Sequence, residues 1–196
     1  MKRVLIAATV FCVAFPLGAM TDDTICADMT ITGSHDNVVV PSGTVCISSG
    51  AYIAGNVKVY GAFEAQRGTT IEGNVHGEPG HRYVRLLGVD VVVRENVELK
   101  YATSDEQSGF MAGTEIGGNF QWEGNPNPLI AQGGTIGGNL VMLKSTGGGE
   151  IFGNVIQGNL QCKENDPAPT GGGNTVGGNK EDQCTLLNGS IVRILK

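Results

Sequence analysis

Three histidines, His35, His76 and His81, are the side chains best suited to hold a metal ion, and two of them close the hydrophilic run His76-Gly-Glu-Pro-Gly-His81. Zinc binds imidazole nitrogens about 2 Å away, so its ligand atoms must lie within roughly 4 Å of one another. A second set is acidic, comprising Glu98, Asp105, Glu106 and Glu115, and is interleaved with Arg82, Arg85, Arg94 and Lys100. Two carboxylates about 5–9.5 Å apart in a cleft would hydrolyse a glycosidic bond. Acids mixed with bases would instead suit a polysaccharide lyase. Trp122 offers a face on which a sugar could stack. Thr70, Thr135 and Thr175 offer a regular row of hydroxyls, as an ice-binding face would need. Each chemistry depends on which of these residues the scaffold brings together.

That scaffold is written in a repeat. Ile116-Gly-Gly-Asn-Phe, Ile136-Gly-Gly-Asn-Leu, Ile156-Gln-Gly-Asn-Leu and Val176-Gly-Gly-Asn-Lys recur every 20 residues, and Ile53-Ala-Gly-Asn-Val and Ile71-Glu-Gly-Asn-Val carry the same phrase upstream. Aligned on the Asn, the chain has eight rungs at Asn37, Asn56, Asn74, Asn96, Asn119, Asn139, Asn159 and Asn179, spaced by 19, 18, 22, 23, 20, 20 and 20 residues. Three residues before each Asn stand Ser34, Ile53, Ile71, Val93, Ile116, Ile136, Ile156 and Val176. One residue after it stand Val38, Val57, Val75, Val97, Phe120, Leu140, Leu160 and Lys180. Both columns are apolar except at their ends, as expected where a stacked core runs out. A repeat of this length with a strand phrase at each corner predicts an all-β fold, a single-stranded parallel β-helix (β-solenoid) of about eight coils. At ~4.8 Å per coil the rod is roughly 38 Å long. Stacked Asn amides are expected to hydrogen-bond up the column, and the Gly before six of the eight Asn to supply a corner with positive φ.

Composition agrees, with 31 Gly in 196 residues, 11 aromatics and a formal charge of −6. Abundant Gly disfavours long helices, and the acidic balance argues against a nucleic-acid partner. Lys2 and Arg3 precede an apolar run to Phe15 and a small-residue exit near Ala19. Residues 1–20 are therefore expected to be a cleaved signal peptide and 21–196 one solenoid domain, secreted or periplasmic, without a transmembrane segment. Removal of Lys2 and Arg3 leaves 11 basic against 19 acidic residues, a charge of −8. Of five Cys, Cys12 lies in that leader, leaving Cys26, Cys46, Cys162 and Cys184 for two disulfides. The register places Cys26 beside Cys46 and Cys162 beside Cys184, one staple near each end.

Residues 41–71 also divide into hexads beginning at Pro41, Ile47, Ile53, Val59, Ala65 and Ile71, which resemble left-handed hexapeptide-repeat proteins. The Ile-x-Gly-Asn-Val phrase and the variable coil length look more like right-handed parallel β-helices, so the right hand is favoured. Among these the chain is similar, over about residues 45–100, to the bactofilin or polymer-forming group, whose members are cytosolic and lack the leader seen here. The segment from Gln161 to Cys184 resembles the ends of uncharacterised secreted bacterial proteins. That last resemblance brings no known chemistry.

On this frame His35 and His76 fall two coils apart, ~10 Å along the stack, too far to share one zinc. No acid pair recurs at a fixed position. Trp122 shares a column with Val40, Val59, Leu99, Met142 and Cys162, so it belongs to the core. The Thr column is broken by Tyr52, Val92, Glu115 and Val155. The stretched spacings of 22 and 23 place insertions at 76–82 and 102–110 in successive coils, and loops on a rigid scaffold are where recognition residues sit. Ligand contacts are therefore expected around His76, Glu78, His81, Arg82, Asp105 and Glu106, on a non-catalytic structural or binding protein with no cofactor. Its expected partners are its own copies or a polysaccharide of the envelope or outside the cell. The alternative is a small polysaccharide-active or metal-dependent β-helix enzyme.

Overall fold

The computed structural model describes residues 23–187, so the expected leader 1–20 lies outside the described residues. Within that range the chain winds through about eight coils, each contributing one strand to each of three parallel sheets. Sheet A has nine strands, from Thr24–Ile25 and Val38–Val40 to Leu160–Lys163 and Lys180–Asp182. Sheet B has eight, from Met29–Ile31 to Thr170–Gly172, and sheet C eight short ones, from Ser34–His35 to Thr175–Val176. One short 3-10 helix, Gln183–Leu186, is the only helix among the described residues. Every hydrogen-bonded strand neighbour is one coil away in sequence, which is why the repeat is legible along the chain.

The core follows from strand alternation, with successive side chains pointing to opposite faces. The column after the Asn pairs coil by coil, Val38, Val57, Val75, Val97, Phe120, Leu140, Leu160 and Lys180, and all but Lys180 are buried. Two residues on, Trp122 is fully buried between Leu99 and Met142. Sheet C stacks Ile53, Ile71, Val93, Ile116, Ile136, Ile156 and Val176. The first rung departs from the expected register, because His35 rather than Ser34 pairs with Ile53. Coil one is a residue shorter before its Asn, so a half-buried imidazole takes the inward column and Ser34 faces water.

The Asn ladder forms, though with a different bonding scheme. The Oδ1 of each Asn accepts the backbone N–H of the Asn one coil later, from Asn37 to Asn56 at 2.9 Å through Asn139 to Asn159 at 2.7 Å and Asn159 to Asn179 at 2.8 Å. In the middle coils the same oxygen also accepts the next side-chain amide, as between Asn119 and Asn139 at 3.1 Å. The column lies at the surface, with its side chains half-buried or exposed.

The expected positive φ before the Asn is not found at Gly55, Gly73, Gly118, Gly138, Gly158 or Gly178. Gly is needed there for close approach, since a Cβ on Gly138 would sit 2.5 Å from Asn119 Oδ1. A glycine with positive φ marks instead the corner between sheets B and C in all eight coils, at Gly33, Gly50, Gly68, Gly88, Gly113, Gly133, Gly153 and Gly173.

Two further ladders inside the corners escaped the sequence reading. Asn125 Oδ1 accepts the Ala102 N–H at 2.8 Å, Ser145 Oγ that of Asn125 at 3.3 Å, Asn165 Oδ1 that of Ser145 at 3.0 Å, and Gln183 Oε1 that of Asn165 at 3.0 Å. Asn154 Oδ1 accepts from Gly134 N–H, and Asn174 Oδ1 from Asn154 N–H, each at 3.0 Å. Both run opposite to the outer ladder, with the later coil accepting. The Nδ2 groups of Asn125, Asn154 and Asn165 reach backbone carbonyls. Buried backbone groups at corners lack sheet partners, and these amides satisfy them.

The cysteines pair as the register indicated. Cys26–Cys46 and Cys162–Cys184 lie at disulfide distance, with Cα–Cα separations of 5.4 and 5.0 Å.

Candidate functional site

The two insertions leave adjacent coils at the corner between sheets A and B and pack on each other. Strands claim part of each expected insertion, Val75–Gly77 taking residues 76–77 and Ser108–Phe110 taking 108–110, leaving bulges at 78–82 and 101–107. Gly80 N–H donates to the Tyr101 carbonyl and Thr103 N–H to that of His81, both at 2.9 Å. Thr103 Oγ1 donates to the Gly80 carbonyl at 3.0 Å. The second bulge is also held from within, by Asn125 Oδ1 on Ala102 and by buried Asn127, whose Nδ2 donates to the Glu106 carbonyl at 2.8 Å.

The expected contact residues divide into two groups. Glu78, Arg82, Asp105 and Glu106 reach solvent around the paired bulges. Arg82 bonds Glu106 at 2.6 Å, which holds the guanidinium charged. Tyr83 lies under two guanidinium groups, with Arg85 4.1 Å and Arg82 5.6 Å from its ring centre, and burial pushes its phenol pKa up. Arg85 in turn bonds Glu64 at 3.0 Å. His76 faces outward on sheet A, 3.4 Å from Glu98. Glu98 also pairs with Lys100, which holds the carboxyl below and the ammonium above their ordinary pKa values.

His81 departs from the expected exposed loop histidine. It is fully buried, its Nδ1 lies 2.9 Å from the Glu78 carbonyl, and burial lowers its pKa. His35 lies at the first coil, bonded to Thr24 Oγ1 at 3.1 Å and the Thr32 carbonyl at 3.0 Å. The three imidazoles thus serve three separate environments. Among the described residues His, Cys, Asp and Glu side chains form no group of three placed to hold a metal ion.

A shallow groove runs along sheet A beside the outer ladder, lined by Asn74, His76, Asn96, Glu98, Asn119 and Gln121. Its sequence signal is the ladder column itself read together with the residue two places on. Among the described residues no helix is long and apolar enough to cross a membrane. Compared with protein-family models, curated proteins and solved structures, the chain matches none.

Proposed function

We propose that this chain is a non-catalytic binding or assembly module of the periplasm or extracellular space, and that it recognises its partner through the paired bulges 78–82 and 101–107. The observation that carries this is the cross-bonding of the two bulges on a stiff stack, which holds Arg82 against Glu106 on the same pair of bulges that carries Glu78 and Asp105. A preformed polar cluster keeps the entropy lost on binding small. The electrostatics support binding over hydrolysis. A glycosidase needs one carboxyl with a raised pKa to act as acid, whereas Glu98 is held ionised by Lys100. Two cysteine pairs at disulfide distance, together with the expected leader, fit an oxidising compartment. The partner classes that suit this address are an envelope or extracellular polysaccharide and a second copy of the chain.

The test replaces both bulges with short Gly-Asn corners. Binding of the parent and the variant to purified envelope polysaccharide, and self-association by sedimentation, are then compared at matched folded fractions. Loss of binding with the coils still folded is the expected result. Binding that survives the replacement places recognition on a sheet face or a rod end and refutes the proposal.

A further inference from the structure

We propose that His81 is a proton-operated latch: neutral, it anchors the 78–82 bulge in the core, and on taking up a proton it releases that bulge from its neighbour at 101–107. The proposal stands whether or not the bulges bind a ligand.

The latch rests on a missing side chain. In the sheet A column of Val40, Val59, Leu99, Trp122, Met142 and Cys162, the coil between Val59 and Leu99 contributes Gly77. A Cβ there would meet His81 Cε1 and Nε2 and Leu99 Cδ2, each at 2.9 Å. The imidazole therefore occupies the room that a Val or Leu fills elsewhere, and the bulge is plugged into the core by a titratable group.

The ring's chemistry sets the direction of the switch. Its Nδ1 faces the Glu78 carbonyl, which can only accept, so Nδ1 carries the proton and Nε2 is the bare nitrogen. That Nε2 is buried without a hydrogen-bond partner. A proton added there would make the ring a buried cation, the form that burial disfavours. The groups that face the ring are the Glu78 carboxylate and carbonyl from its own bulge and the Lys100 carbonyl from the strand Val97–Lys100. These favour the cation, and burial outweighs them. From the core the ring meets uncharged Gly77 and Leu99, and the 101–107 bulge reaches His81 through the Thr103 N–H and hydroxyl on its carbonyl. The nearby cations are already engaged, Arg82 by Glu106 and Lys100 by Glu98 and Glu123.

An imidazole freed to solvent binds its proton near pH 6.5, while the plugged ring binds it only at lower pH. Between those two values the released form takes up the proton and the latched form does not, so acidification through that window favours release. Opening gains at most about tenfold per pH unit, or at most roughly 30-fold between about pH 7.5 and pH 5.

The experiment measures hydrogen exchange by NMR on the disulfide-intact chain at pH 7.5 and 5.0, corrected for intrinsic rates. The reporters are the Gly80, His81, Arg82 and Thr103 amides, whose acceptors are the Tyr101, Glu78, Gly61 and His81 carbonyls. Leu140 and Val155, bonded in regular coils, serve as internal controls. The expected result is a selective loss of protection at the reporters on acidification, unchanged in His76→Gln and abolished in His81→Leu, which fills the space beside Gly77 without titrating. Unchanged reporters in the parent, or an equal loss in His81→Leu, overturns the latch. If His81→Leu does not fold, the imidazole nitrogen titration of the parent decides. A His81 midpoint below 6.5 that tracks reporter opening supports the latch, and a midpoint at or above 6.5, or one independent of opening, overturns it.

Discussion

Replacing Asn125 by Ala removes two bonds from the interior of a corner. Asn125 Oδ1 is the acceptor for the Ala102 N–H at 2.8 Å, and its Nδ2 donates to the Leu99 carbonyl at 2.9 Å. The side chain is fully buried, so water does not replace either partner without opening the corner. An unsatisfied buried group costs about 1–3 kcal/mol, and two give roughly 2–6 kcal/mol. For a chain of this size that corresponds to a Tm lowered by about 10 °C.

Asn139→Ala also deletes a ladder amide, leaving the Asn159 N–H without its 2.7 Å acceptor and Asn119 Oδ1 without its 3.1 Å side-chain donor. There Asn119 is exposed and Asn139 and Asn159 are half-buried, so water takes over, and the expected loss is about 1 kcal/mol, or roughly 3 °C. Thermal melts followed by circular dichroism, with disulfides intact, measure both. Equal losses in the two variants, or a larger one for Asn139→Ala, would refute the argument that burial and not the amide ladder itself sets the energy.

Two other expectations can be checked alongside. Gly138→Ala and Gly153→Ala should each destabilise in urea for opposite reasons, the first by crowding Asn119 Oδ1 at about 1–3 kcal/mol, the second by a φ of +64° at about 1–2 kcal/mol. Asn, which tolerates positive φ, should then be milder than Ala at 153 and harsher at 138, and the reverse order would contradict the assignment. Non-reduced peptide mapping should recover Cys26 with Cys46 and Cys162 with Cys184, and removing either pair should cost about 3 kcal/mol for loops of this length. Any other pairing contradicts the register.

What the sequence determines here is whatever repeats. Each coil contacts its immediate neighbours, so the same inward positions recur, and the columns at Val38 to Lys180, the coil number and the cysteine partners follow from counting. Tertiary structure decides wherever one residue type serves two purposes or one coil departs from its neighbours. Glycine suits both a positive φ and a close approach, and the Gly138 and Gly153 columns separate only when the backbone and the preceding coil are seen together. The inner ladder mixes Asn125, Ser145, Asn165 and Gln183, so no identical residue marks it, although the first three keep a period of 20. His35 slipped into a column assigned to Ser34 because aligning on Asn hides a one-residue deletion. His81 reads as a loop residue in a hydrophilic run, and it becomes a core residue because Val59 and Leu99 on the flanking coils leave beside Gly77 a space that only stacking creates.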